Sequence, residues 1–408
     1  MLVATKGRAI QKVDRFFSEN RQAAAVLKHG VLERYLARFA GMVGSTSQNH
    51  RVGYLDGFAG SGVYENPVTG RVSPGSPQIA LNIAAGMSNC SIECVFVEKN
   101  KAQFVSLERV VQDAGYTGAR ALKGDVRKHL DESLALFADM PLLVFLDPFG
   151  TALETQAVVD RILNRPGTNP TELLLNFSID SVRRIGARFY EPEDSRGREN
   201  SLARLDSWLG GEWWRAHFAA AVDADDRASV AADAVFADYV TRVNQAARCG
   251  SFAVPIRRQA HHKPIFNLTL FFHRNYAVLP FNEAVSKATE GWRTHLHDLD
   301  LTDADLRDQD SPRLPGMTRV DELKAVFVDD EAAFKEETIQ SIVEAVRAAL
   351  VGRSSLSVRN DFQLVFGSAI GAGREMHLRA AWKRLADEGL TDRPPSRFTS
   401  GTRINRLS

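Results

Sequence analysis

Asp56, Glu98, Asp125, Asp147 and Asn176 each stand at the end of a short stretch that reads as a strand. Between the first two lies "YLDGFAGSGVY", with Gly57, Gly60 and Gly62. Glycines let a backbone approach a ligand without Cβ obstruction. An ionised carboxylate accepts hydrogen bonds from a sugar diol or an exocyclic amine. Asp147 opens "DPFG", with Pro148, Phe149 and Gly150. An aspartate at a strand end can accept a hydrogen bond from an amine, and an aromatic ring beside it can stack on an extruded base. These residue types point to a nucleoside-bearing ligand held beside an amine. The bland alternatives are a glycine turn whose acids cap helices, and an Asp-Pro turn with Phe149 in the core.

The elements that must position these residues alternate. Residues 1–50 read as helical, with Leu32, Tyr35, Leu36 and Phe39 on one face. "RVGYLDGF" is a first strand, "IECVFVEKN" a second, "ARALKGDV" a third, "PLLVFLDPFG" a fourth and "TELLLNFSI" a fifth. "QIALNIAA" and "KAQFVSLERVVQDAG" are helices, the latter stopped by Gly115. "GSFAVPIRRQ" and "PIFNLTLFFHR" are two further adjacent strands. Alternation of this kind predicts a Rossmann-like doubly wound α/β sheet with its ligand at the carboxyl ends of the strands. The expected division is a helical segment 1–50, a Rossmann-like domain 51–297 with a helical insertion near 180–250, an acidic linker 298–330, and a winged-helix-like unit 331–408. The linker reading rests on six aspartates, two prolines and a glycine within 298–316.

The loop spacing is G-x-x-G-x-G rather than the dinucleotide G-x-G-x-x-G, and Pro67 and Pro74 delay the next helix. A pyrophosphate cradle is therefore the weaker reading. The methionine part of S-adenosylmethionine (SAM) needs close backbone approach but no phosphate contact. Asp56 would then face the methionine moiety, Glu98 the two ribose hydroxyls, and Asp125 the adenine amino group.

Taken together, "YLDGFAGSGVY…GSP", "FVEKN", "GDV", "FLDPFG" and "LLNFS" resemble the three-Cys-motif partner protein family, over roughly residues 30–300 and again in the tail. The resemblance implies a SAM-dependent methyltransferase fold and a three-Cys-motif protein as partner. It places Asp56, Gly57, Gly60 and Gly62 on the first cofactor motif, Glu98 on the second and Asp125 on the third. Phe58, Ala59, Lys99 and Val126 complete the expected cofactor-binding set. In "DPFG" the aromatic arrives one position earlier than in amino-methyltransferases, and glycine takes its place. Asp147, Pro148 and Phe149 are the expected catalytic residues, and a SAM-binding adaptor without transferase chemistry stands as the alternative to an enzyme.

Composition narrows the partners. Net charge is +1, hydrophobic residues are 44% and charged residues 25%, so bulk charge argues for neither nucleic acid nor membrane. Local charge does more. Residues 353–408 carry ten Lys or Arg against five Asp or Glu, and Arg379 and Lys383 on a predicted recognition helix would meet DNA or RNA phosphates. A solvated basic face on a docking module is the alternative. Arg183 and Arg184, after the fifth strand, are candidates for substrate phosphate, as is Asn176 for substrate contact. Three cysteines, Cys90, Cys94 and Cys249, form neither a disulfide framework nor a metal-ligand pattern. His261 and His262, if extended, point to opposite faces and do not form a metal site. No apolar run reaches membrane-spanning length, and the N-terminus lacks a secretory h-region. The expected location is cytoplasmic.

Overall fold

A computed structural model describes residues 3–65, 72–148, 150, 153–311, 314, 316 and 318–407; for 3–22 and 65 it describes the backbone only. The chain divides into two compact units, Met1–Ala24 with Leu36–Arg274, and Ala25–Tyr35 with Asn275–Ser408. Helix α1 (Val3–Gly44) contributes residues to both.

The first unit is built on seven strands: β1 (Arg51–Asp56), β2 (Ser91–Glu98), β3 (Ala119–Lys123), β4 (Leu142–Leu146), β5 (Thr171–Phe177), β6 (Gly250–Ile256) and β7 (Phe266–Phe272). Their order is β3-β2-β1-β4-β5-β7-β6. The first five are mutually parallel; β7 runs antiparallel to β5, and β6 antiparallel to β7. The sheet is Rossmann-like and doubly wound. Every residue of β4 and β5 is buried, as central strands covered on both faces must be. The outermost strand, β6, alternates buried and exposed residues and tolerates Pro255 because an edge has no second ladder to lose.

The chain runs outward from β1 through β2 to β3, then returns to the other side of β1 to lay down β4 and β5. That reversal is a topological switch point, and it opens a crevice outside the carboxyl ends of β1 and β4. Helices α2 (Ser76–Gly86), α3 (Lys101–Asp113) and α4 (Val126–Ala135) connect the early strands. The expected insertion consists of α5 (Ile179–Gly186), α6 (Arg198–Leu209), α7 (Arg215–Ala220) and α8 (Arg227–Ala247). Phe177, at the end of β5, stacks on Trp208 at 4.9 Å and meets Tyr239 at 4.8 Å, so aromatic packing ties the insertion to the sheet.

In the second unit the acidic stretch does not form a linker. Helix α9 (Val278–Asp310) continues into it, and α10 (Arg319–Ala349) starts within it. Leu and Ala separate the aspartates, Asp303 pairs with Arg307 one turn on, and the prolines come only at 312 and 315. Thr318 caps α10 in a reciprocal bond with Asp321. Beyond lie β8 (Ser355–Ser357), α11 (Phe362–Phe366), α12 (Glu375–Asp387) and β9 (Arg403–Asn405), with β8 and β9 antiparallel. Leu378, Ala381, Trp382 and Leu385 form the buried face of α12.

Candidate functional site

Asp56 ends β1 wholly buried, and its Oδ1 accepts the Phe58 N–H at 3.1 Å. The chain then threads the strand ends. The Gly57 N–H donates to the Phe145 carbonyl at 3.0 Å, and the Ala59 N–H to the Val97 carbonyl at 3.0 Å. The Gly60 N–H donates to Glu98 Oε2 at 2.8 Å. Four successive N–H groups, Gly57 to Gly60, are thus occupied by protein acceptors. At Gly57 a Cβ would sit 2.6 Å from Leu146 Cδ2 and 3.0 Å from Val126 Cγ2, so only glycine passes. Gly60 and Gly62 have φ of +65° and +83°, the left-handed region that favours glycine.

After Gly62 the chain makes a short ribbon, Val63–Glu65 against Val72–Pro74. The Gly75 N–H then donates back to the Gly62 carbonyl at 2.9 Å. The prolines delay α2 in sequence but not in space: the ribbon folds the chain back, and α2 starts beside the glycine loop. Pro67 itself falls outside the described residues.

Glu98 ends β2 at 8% exposure. Its Oε2 takes the Gly60 N–H and its Oε1 the Asn100 N–H. Two backbone donors fix the carboxylate, and each oxygen keeps a second lone pair. Asn100 in turn caps α3, accepting from the Ala102 and Gln103 N–H groups. Asp125 follows β3 and caps α4, accepting the Arg127 N–H at 3.0 Å; Lys99 Nζ lies 3.0 Å from its Oδ2. Burial would raise the Asp125 carboxyl, but the Arg127 N–H, the Lys99 ammonium and the Arg127 guanidinium together hold it below the usual range. Val126, the first residue of α4, is buried against Gly57. Lys99 is exposed and Phe58 half-buried.

Across the switch point, Asp147 follows β4 and is partly exposed. Asn176 Nδ2 donates to Asp147 Oδ1 at 2.7 Å. Pro148 is buried, and its carbonyl accepts the Gly150 N–H at 3.1 Å. Phe149 lies outside the described residues.

Sequence reasoning gave Tyr64 no role, yet the ribbon brings this residue back beside the glycine loop. Its hydroxyl would lie 3.6 Å from a Cβ on Gly60. The Tyr64 ring is partly exposed, and desolvation of its hydroxyl, then the charges of Asp147, Asp56 and Glu98, raise it above the ordinary tyrosine range. The available signal was an aromatic hydroxyl two residues past Gly62, but only the ribbon reveals which way it folds.

The remaining expected residues lie elsewhere. Arg183, on α5, donates to the Pro264 carbonyl at 3.3 Å and sits 3.7 Å from Asp180, whereas Arg184 is exposed. Arg379 and Lys383 belong to the second unit. Arg379 pairs with Glu375 at 2.7 Å, donates to the Ser396 carbonyl at 3.1 Å and lies over the Phe398 ring at 4.2 Å. Arg374 pairs with Glu290, and Arg384 with Glu336. Lys383 and Arg397 are exposed. His261 and His262 are not extended: they lie in a turn closed by His262 N–H donating to the Gln259 carbonyl, with rings 4.5 Å apart edge to face. Among the described residues no group of three or more His, Cys, Asp or Glu is arranged to hold a metal ion, and no helix is long and apolar enough to cross a membrane.

No protein-family model matches the chain, and no curated protein matches it. Among solved structures, similarity extends to a putative O-methyltransferase from Klebsiella pneumoniae, at 12% identity and a TM-score of 0.31, over 64% of this chain and 89% of that one. An O-methyltransferase from Bacillus cereus, in complex with SAH, is 9% identical with a TM-score of 0.32, over 60% and 80%. An O-methyltransferase of tomaymycin synthesis from Streptomyces achromogenes, in complex with SAM, is 11% identical with a TM-score of 0.31, over 63% and 90%. At this level of similarity no residue's role carries over from them.

Proposed function

We propose that this chain is a SAM-dependent methyltransferase whose cofactor lies over the glycine loop and whose target amine is anchored by Asp147. One observation carries the reading. Asp56, Glu98 and Asp147 stand at the ends of β1, β2 and β4, neighbouring strands at the switch point, while the N–H groups of Gly57 to Gly60 are already occupied. A pyrophosphate needs available N–H donors and a positive field. Here Gly57 to Gly60 offer it no N–H donor, and the acids at the strand ends oppose its charge. A sulfonium cation would meet an attractive field.

The residues present fit such a cofactor. Glu98 retains a lone pair on each oxygen for the two ribose hydroxyls. Gly57 and Gly60 keep the loop bare of Cβ atoms, and Val126 offers apolar surface beside them. Asp125 retains acceptor capacity for an amino group after capping α4. When bound, SAM supplies an activated methyl group. Asp147 accepts a hydrogen bond from the amine and so directs its lone pair, a positioning effect that general catalysis values at several kcal/mol. The same carboxylate would take the proton that the nitrogen releases.

For the acceptor, we propose an amine of a nucleic-acid base or modified nucleotide, with a three-Cys-motif protein as partner. The Asp147-Pro148 pair and the exposed Lys383 and Arg397 support the acceptor, and the partner rests on the sequence resemblance alone; the internal pairing of Arg374, Arg379 and Arg384 limits how much the second unit contributes to phosphate contact. An adaptor that binds SAM without transferring methyl is the second reading. It is favoured by one observation: the Pro148 carbonyl, the expected second acceptor for an amine, shares its lone pairs with the Gly150 N–H.

Calorimetry with SAM and S-adenosylhomocysteine tests the cofactor, and methyl-labelled SAM with cellular nucleic acid, with and without the partner protein, tests the transfer. Binding with label transfer supports the enzyme. Binding with no transfer to nucleic acid, protein or small molecules selects the adaptor. Absence of binding to both ligands removes the whole reading.

A further inference from the structure

Asn176 sits one residue before the end of β5, in register with Leu268 of β7, and its side chain is wholly buried. Its Nδ2 donates to Asp147 Oδ1 at 2.7 Å. Its Oδ1 is also buried and meets no hydrogen-bond partner among the described residues. Buried polar atoms normally have at least one partner, and leaving one without is destabilising. The neighbours of Asn176 along β5 are Leu173, Leu174, Leu175 and Phe177. An apolar side chain would suit this strand better. The carboxamide is therefore poorly explained by packing and well explained by the single bond that it makes.

That bond constrains a carboxylate. The side-chain torsion of an aspartate is broad about its terminal bond. Holding Oδ1 fixes the plane of the group, and with it the direction in which Oδ2 accepts. We propose that Asn176 is a positioning residue for Asp147, turning its carboxylate so that Oδ2 faces an N–H donor at the methyl-transfer position. The inference rests on the methyltransferase reading above and deepens it: the preferred occupant of that position is an amine.

Sinefungin tests this without a known substrate. It is an analogue of S-adenosylhomocysteine in which a carbon bearing a primary amine replaces the sulphur, so its ammonium stands where the transferable methyl would stand. Both ligands are titrated calorimetrically into the full chain as wild type, Asn176→Leu and Asn176→Thr. The wild type should bind sinefungin about tenfold or more tighter than S-adenosylhomocysteine, the scale of one hydrogen bond between charged groups. Asn176→Leu should lose most of that margin while its S-adenosylhomocysteine affinity stays within about twofold. Asn176→Thr, which keeps a donor, should recover part of it. Thermal unfolding of Asn176→Leu should occur at or above the wild-type temperature, because the unpaired acceptor is gone. An unchanged margin in Asn176→Leu overturns the proposal, and so does equal wild-type affinity for the two ligands, with the cofactor reading intact in both cases. A leucine variant that unfolds early and loses both ligands shows a structural residue instead. If the wild type binds neither ligand, the methyltransferase reading falls and takes this inference with it.

Discussion

Glu98→Gln is the most searching single substitution, because it keeps size and shape and changes only donors and acceptors. In the wild type the two carboxylate oxygens receive two backbone N–H groups, Gly60 on Oε2 at 2.8 Å and Asn100 on Oε1. A glutamine has one acceptor oxygen. Whichever way its amide turns, one N–H must face an NH₂ donor at a site that is 8% exposed. If the amide oxygen keeps Gly60, the Asn100 N–H at the start of α3 loses its partner; if it keeps Asn100, the glycine loop is released. A lost hydrogen bond to a charged group is worth roughly 1.5–3 kcal/mol. The same change removes one of two acceptors for the ribose. We expect S-adenosylhomocysteine affinity to fall about ten- to a hundredfold by calorimetry, and urea unfolding to show a loss of about 1–3 kcal/mol. Glu98→Gln protein that binds S-adenosylhomocysteine as tightly as wild type would refute the assignment of Glu98 to the ribose. Weaker binding with unchanged stability would instead show that the two backbone bonds contribute little to the fold.

Other expectations follow from the same geometry. Asp147→Ala should lower methyl transfer about a hundredfold or more, since it removes the amine's acceptor, while S-adenosylhomocysteine affinity measured calorimetrically stays near wild type; transfer at the wild-type rate would exclude Asp147 as the anchor. Gly57→Ala should destabilise by about 1–3 kcal/mol in urea unfolding, because its methyl would meet Leu146 and Val126. Gly60→Ala has room, with nothing nearer than Tyr64 Oη at 3.6 Å, and should cost only the left-handed backbone, about 1–2 kcal/mol. In the second unit, burial and then the charges of Arg374 and Lys335 push the His377 imidazole down to about 4, with Glu290 opposing them. Its Nδ1 accepts the Arg374 N–H at the start of α12, which requires an unprotonated nitrogen. Between about pH 6.5 and 4 the unfolded chain binds this proton and the folded chain does not. Stability should therefore fall by up to about 3 kcal/mol as pH drops through that window, and be unaffected above it. His377→Asn should flatten the pH dependence of urea unfolding over that range; an unflattened curve would assign the acid lability elsewhere.

How far the sequence reached depended on whether local pattern or chain return decided each feature. Consecutive apolar residues such as "LLVFL" and the "LLL" of "TELLLNF" suit strands buried between two helical layers, so β4 and β5 were legible together with Asp147 and Asn176 near their ends. The acidic stretch 298–310 misled because composition was weighed above periodicity: aspartates separated by leucine and alanine, with Arg307 one turn from Asp303, still make a helix until Pro312. Tyr64 stayed invisible for a different reason. Its place beside Gly60 is set by the ribbon that returns the chain to Gly62, and no local period encodes that return. The bond between Asn176 and Asp147 likewise depends on β4 and β5 being neighbours, which the order of residues along the chain does not state.

The placement of hydrogen bonds sharpens what the glycine loop can hold. From sequence, three glycines after a strand are compatible with a phosphate cradle or with close approach to a sulfonium, and spacing alone leans only modestly toward the second. In the folded chain the same glycines serve the protein. Gly57 lets the chain pass between Leu146 and Val126, and Gly60 takes a left-handed turn that delivers its N–H to Glu98. A phosphate would have to displace a buried carboxylate from that N–H, and would do so in the field of Asp56, Glu98 and Asp147. A cation faces the opposite balance: the carboxylates that repel phosphate attract it, and the closed loop asks it for no hydrogen bond. The N–H groups from Gly57 to Gly60 are thus bound inward, and the charge on their rim is negative, so a sulfonium is the better match for this loop.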